Sequence, residues 1–88
     1  MSAPTSLSHD VLAEVITRCA GARTDGATLR GTQPTFTDLG VDSLGLLGVV
    51  AELELTLGIQ FGAEAETCTS PAELLDIANS RLRTEAAR

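Results

Sequence analysis

The chain contains no lysine, no tryptophan and no tyrosine, and only two phenylalanines, two cysteines and one histidine among its 88 residues. Each shortage excludes something. Without Trp or Tyr, and with Phe36 and Phe61 as the sole aromatics, there is no platform on which bases could stack. One histidine and two distant cysteines, Cys19 and Cys68, fall short of the roughly four ligands a structural zinc ion takes. No apolar run approaches the ~18 residues that span a bilayer. Residues Met1 to Leu7 lack the charged and apolar regions of a secretory leader. The expectation is a single small domain, cytoplasmic, monomeric and with reduced thiols.

What is present is acidic charge, unevenly laid out. The net charge is −6, and all six basic residues are arginines. None lies between Arg30 and Arg81, a stretch that holds Asp38, Asp42, Glu52, Glu54, Glu64, Glu66, Glu73 and Asp76. Such a field keeps a protein soluble, draws basic surfaces toward it, and repels nucleic acid and anionic membranes.

The apolar residues fall at helical spacing. Val11, Leu12, Val15, Ile16 and Cys19 share one face of a helix predicted from about Ser8 to Ala20, capped by Ser6 or Ser8 and stopped by Gly21. This places Cys19 in the core and His9 on the surface. Residues 21–38, punctuated by Gly21, Gly26, Gly31 and Pro34, read as a long loop pinned by Leu29 and Phe36. A second helix runs from Asp42 or Ser43 to Leu57, ended by Gly58. A single turn follows at 63–68, with Cys68 plugging the core. Ser70-Pro71-Ala72-Glu73 is a capping box with proline in the first turn, and opens a helix whose apolar face is Leu74, Leu75, Ala78 and Leu82. No strand pattern occurs. The predicted fold is an all-α, small four-helix bundle of three main helices and one short one, with a long first loop.

The second helix has two apolar sides. At about 100° per residue, Leu46, Val49, Val50, Leu53 and Leu57 cluster on one, and Leu44, Leu47, Ala51 and Leu55 on nearly the opposite one. A small core can take only one of them. Either the long loop or the short helix covers the other, or it is a docking face rimmed by Asp42, Glu52 and Glu54.

Ser43 sits where that helix begins, in Asp38-Leu39-Gly40-Val41-Asp42-Ser43-Leu44. Unpaired backbone N–H groups and the positive end of the helix dipole gather there, a setting that suits a phosphate esterified to the serine. Ser43 could instead be part of a cap. A nucleophilic enzyme is disfavoured: the hydrolase elbow needs glycine two residues before the serine, where Val41 stands, and His9 is remote in sequence.

This seven-residue run resembles the phosphopantetheine attachment motif of acyl carrier proteins. The resemblance extends over about residues 8–82 and takes in the long first loop, Gly58-Ile59-Gln60-Phe61 and the Thr69-Ser70-Pro71 start of the last helix. It implies that Ser43 accepts 4′-phosphopantetheine from coenzyme A through a Mg²⁺-dependent phosphopantetheinyl transferase. It implies also a carrier, not an enzyme, shuttling acyl thioesters. Asp42 would orient the transferase and its metal, and Leu44, Leu47 and Glu54 match positions that partner enzymes contact. The length and the Leu46-Leu47 pair are most similar to the stand-alone carriers of type II aromatic polyketide synthases. Partners would then be a malonyl transferase, a ketosynthase with its chain-length factor, and a ketoreductase or cyclase. Fatty-acid carriers usually have acidic residues where Gly45, Gly48 and Leu55 stand. A fatty-acid carrier and an unmodified helical interaction module are the alternative readings.

Overall fold

The computed structural model describes residues 6–86, with side chains described through Thr84. Five helices follow one another: α1 (His9–Ala20), α2 (Gly26–Gly31), α3 (Ser43–Leu57), α4 (Glu64–Thr67) and α5 (Pro71–Ala86). There is no strand among the described residues. The all-α bundle agrees with the sequence expectation, with one helix more than expected and a last helix that continues four residues past Leu82.

α1 begins where Ser8 Oγ accepts the Val11 N–H at 3.1 Å. Leu12, Ala13, Val15 and Ile16 are buried. Val11, expected on the apolar face, is 41% exposed, and Cys19 lies at the edge of the core rather than within it.

The additional helix is α2. Its six residues begin and end in glycine, which hides it in the sequence as loop, and it is too short to show a period. Asp25 caps it by accepting the Thr28 N–H at 2.8 Å, and buried Leu29 anchors it. Gly26 leaves room for α1: a Cβ at this position would collide with the Asp10 carboxylate and come within 3.0 Å of the Asp10 backbone nitrogen. The rest of the first loop is held by Phe36, which is buried as expected and whose N–H donates to the Thr69 carbonyl at 2.9 Å.

α3 crosses α1 in antiparallel fashion. Arg18 reaches Glu52 at 3.1 Å and Glu14 at 3.4 Å, and a Cβ on Gly45 would sit 3.2 Å from that of Ala20. On Gly48 it would meet the Cys19 carbonyl oxygen at 3.7 Å. Each glycine costs α3 about 1 kcal/mol of intrinsic helix propensity relative to alanine. The return is close approach of the two helices. An acidic side chain at position 48 would point toward the carbonyl end of α1, where the helix dipole is negative.

α5 starts at the expected capping box, with Glu73 N donating to Ser70 Oγ at 3.2 Å. The Glu73 carboxylate reaches back one residue further than the motif suggests, accepting the Thr69 N–H at 2.9 Å and the Thr69 hydroxyl. These bonds hold its carboxyl below the usual range, so this part of the cap is present at neutral pH and is lost in acid. Two ties then bind α5 to other segments. Asn79 grips the Leu7 peptide, its Oδ1 accepting from Leu7 N at 2.6 Å and its Nδ2 donating to Leu7 O at 3.2 Å. Arg81 Nε donates to Gln60 O at 2.9 Å.

The core is one cluster around Leu12, Ile16, Val49, Leu53 and Leu74. Replacing fully buried Leu53 with alanine should lower unfolding free energy by about 2–5 kcal/mol. Leu55→Ala, on the opposite side of the same helix, should change it by no more than about 0.5 kcal/mol. Urea titration followed by circular dichroism measures both.

Candidate functional site

The motif segment is shaped by hydrogen bonds that its own residue types supply. Thr35 N donates to Asp38 Oδ2 and Asp38 N to Thr35 Oγ1, each at 3.0 Å, which closes a tight reciprocal turn. Gly40 then takes φ +78°, a left-handed conformation that side chains disfavour. The chain doubles back so that Val41 N donates to Phe36 O at 2.8 Å and the Val41 side chain is buried. With residue 41 fixed, Asp42 stands at the N-cap in extended backbone. Its Oδ1 accepts the Gly45 N–H at 2.8 Å, and its carbonyl accepts the Leu46 N–H at 2.9 Å.

Capping is therefore the work of Asp42, and Ser43 is left over. It is the first residue of α3 and its side chain is exposed. The N–H groups of Ser43 and Leu44 have no acceptor among the described residues, as expected in a first turn where only the third N–H is capped. A phosphate on Ser43 Oγ would meet these donors and the positive end of the dipole. Beside the serine lies a cleft of about 290 Å³, bounded by Phe36, Val41, Leu46, Glu66 and Cys68. A hydroxyl open to solvent, two free donors and an adjoining cleft all suit a covalently attached phosphopantetheine.

Nothing in this surrounding makes the serine a hydrolytic nucleophile. α1 and α3 run antiparallel with Ala20 against Gly45. His9, at the other end of α1, is therefore displaced by about 16 Å along the helix from the Ser43 end.

Cys68 is a feature of the cleft that the sequence does not reveal; it is expected in the core, and it also borders the site. Its Sγ donates to Ala65 O at 3.2 Å. Burial, reinforced by the Glu73 charge, pushes the thiol up to about 11. The thiolate is the species that attacks a thioester, so the neighbour of the proposed arm is kept in its unreactive form. Glu66, across the cleft on α4, likewise carried no sequence signal.

The remaining predicted residues divide into two groups. Leu44 and Leu47, 78% and 46% exposed, stand next to Ser43 and Asp42 on an uncovered surface. Ala51 and Leu55 (81% exposed) continue that strip, which neither the loop nor α4 covers. Glu54 lies at the far end of α3, about 16 Å along the axis from Ser43, and its Oε2 accepts the Phe61 N–H at 2.9 Å. Glu52 is engaged by Arg18 and Thr56. The three acids expected to rim the strip thus each make a bond within the fold.

A five-helix bundle that leaves a serine hydroxyl bare at a capped helix start, flanked by an open apolar strip, has the form of a small carrier domain. Residues 10–78 match the family model described as the phosphopantetheine attachment site. The chain is 43% identical over 74 residues to a "Probable acyl carrier protein" of Streptomyces coelicolor, covering 83% of this chain and 82% of the relative. It is 40% identical over 85 residues to the actinorhodin polyketide synthase acyl carrier protein of the same organism, covering 93% and 98%. The solved holo form of the actinorhodin carrier superposes with a TM-score of 0.74 at 35% identity, over 94% of this chain and 98% of that one. The chain belongs to the phosphopantetheine-binding acyl carrier family, whose members are non-catalytic carriers of that prosthetic group.

The two thiols should respond differently to alkylation. With iodoacetamide at pH 8, half-buried Cys19 should be modified first and Cys68 only after urea is added, as read by peptide mass mapping.

Proposed function

We propose that Ser43 is the attachment point, and that the chain is a single carrier domain serving a type II aromatic polyketide synthase in the cytoplasm. The observation that carries the assignment is the division of labour at the start of α3, where Asp42 caps and Ser43 stays exposed. In the transfer catalysed by a phosphopantetheinyl transferase, Ser43 Oγ attacks the β-phosphate of coenzyme A. The new bond is Ser43 Oγ–P, the bond broken is the pyrophosphate P–O, adenosine 3′,5′-bisphosphate leaves, and the serine proton goes to the transferase's base. The attached group supplies a terminal thiol that holds acyl units as thioesters. The chain's own part is to present the hydroxyl, stabilise the phosphodiester with the Ser43 and Leu44 N–H groups, and offer a surface to each enzyme in turn.

That surface is the strip led by Leu44 and Leu47, with Asp42 at its edge and Glu54 at its far end. The second oxygen of Asp42 remains available to orient the transferase and its metal. An exposed leucine pair beside a modified serine suits an apolar hot spot within a polar rim. The polyketide assignment is supported by the relatives of that pathway and by the position of the two glycines, where a fatty-acid carrier has acids. Malonyl transferase, ketosynthase–chain-length factor and ketoreductase or cyclase are the partners this reading names.

Incubation with a transferase, Mg²⁺ and coenzyme A should add one phosphopantetheine by intact-mass measurement, and Ser43→Ala should abolish the addition. Labelling of that variant would refute the assignment. Leu47→Asp should cut ketosynthase turnover by about tenfold, equivalent to about 1.4 kcal/mol, while far-UV circular dichroism stays that of the parent. A collapsed spectrum would mean that Leu47 supports the fold rather than a partner.

A further inference from the structure

Ser43 shares a side of α3 with a groove at the other end of the helix. At about 100° per residue, Ser43, Leu47, Ala51 and Glu54 fall within about 80° of one another, with Leu44 and Leu55 flanking them. Of the five buried residues, Leu46, Val49 and Leu53 point away, while Val50 and Leu57 fall within about 40° of Ser43 on its other side and border the strip. The groove has a volume of about 790 Å³, and its walls are Ala51, Glu54, Leu55, Ile59, Gln60 and Arg81. The groove is open to solvent, and polar groups line it at least as much as the apolar surface of Ala51, Leu55 and Ile59, a setting for a small charged group and not for a long apolar chain.

Arg81 is what makes the groove specific. It is the first basic residue after Arg30, and it stands in an otherwise acidic part of the protein. The bond from its Nε to Gln60 O orients the guanidinium and leaves both terminal nitrogens to donate elsewhere. No ion pair to it forms among the described side chains. The groove's one carboxylate, Glu54, is turned to the Phe61 N–H. A guanidinium held in this way matches a ligand carboxylate through paired N–H donors.

The reach also matches. Leu55 lies twelve helical steps on from Ser43, about 18 Å along the axis. Phosphopantetheine extended is as long as about five peptide residues, roughly 17 Å. We propose that the groove receives the end of the arm when it carries a malonyl unit, with the arm lying along the Leu47–Ala51 side of α3 and the malonyl carboxylate on the Arg81 guanidinium. The proposal rests on attachment at Ser43. It makes cargo and partner competitors for one surface, so that an enzyme docking on Leu44 and Leu47 lifts the arm out.

The test is ¹H–¹⁵N NMR of the holo, acetyl, malonyl and malonamyl proteins, the last being the uncharged amide of the malonyl form. Intact mass first verifies a single modification at Ser43; modification elsewhere would sink the attachment reading itself. With Ser43 loaded, the amides of Ala51, Leu55, Ile59 and Gln60 should shift at least twofold more in the malonyl form than in the acetyl or malonamyl forms. Arg81→Gln should remove that excess while leaving the shifts of residues 41–45 in place. Equal shifts for malonyl and malonamyl proteins, or shifts confined to residues 41–47 and the Cys68 cleft, would overturn the proposal. The malonyl–malonamyl comparison is made in the unaltered chain, so it decides the matter even if the Arg81 variant is unstable.

Discussion

The site depends on where α3 is allowed to start, and that is set by the backbone of Phe36. Its N–H is bound to the Thr69 carbonyl ahead of α5, its carbonyl takes the Val41 N–H, and its ring is buried. One residue thereby joins the long loop, the start of α3 and the start of α5. Leaving any of these buried groups unpaired would cost about 1–3 kcal/mol. With Val41 tied down, the next residue must be the cap and the one after it the first helical residue. The exposed position of Ser43 is a consequence of this register rather than of any interaction made by the serine.

α3 itself is a compromise between two surfaces. Its inner side supplies five buried aliphatic residues, and its outer side keeps three leucines in water. The outer leucines gain nothing for folding, since burial is what stabilises an apolar side chain. Gly45 and Gly48 belong to neither set. They lie along the contact with α1, and at Gly45 the lack of a side chain lets Ala20 come close. A side chain at 45 would press on Ala20 and Val41, whereas one at 48 would fit in ordinary contact with Cys19.

Much of this was legible in the residues. The caps and stops of α1, α3 and α5 are short-range signals, and the two-sided pattern of α3 survives in the structure because hydrophobic periodicity over fifteen residues is hard to disguise. The motif around Ser43 pointed to the carrier family, and the helix start expected there is where α3 begins. Other features were not legible. α2 is six residues between glycines and owes its existence to Leu29 and to contact with Asp10, both tertiary effects. Val11 has helical spacing but falls just outside the buried arc. The engagement of Glu54 by Phe61 and of Glu52 by Arg18 joins residues that local spacing does not relate, so acids that looked like a free rim turned out to be partly tied.

The grip of Asn79 on the Leu7 peptide has an effect on geography. Leu7 precedes α1, whose other end abuts the start of α3, while α5 begins beside the Ser43 cleft and runs away from it to Asn79. The described chain therefore comes in and goes out at the same pole, and the serine occupies the opposite one. Whatever continues from either end of the described chain is held a domain's length from Ser43. Such a layout lets the domain be tethered, tagged or immobilised without shading the end that bears Ser43.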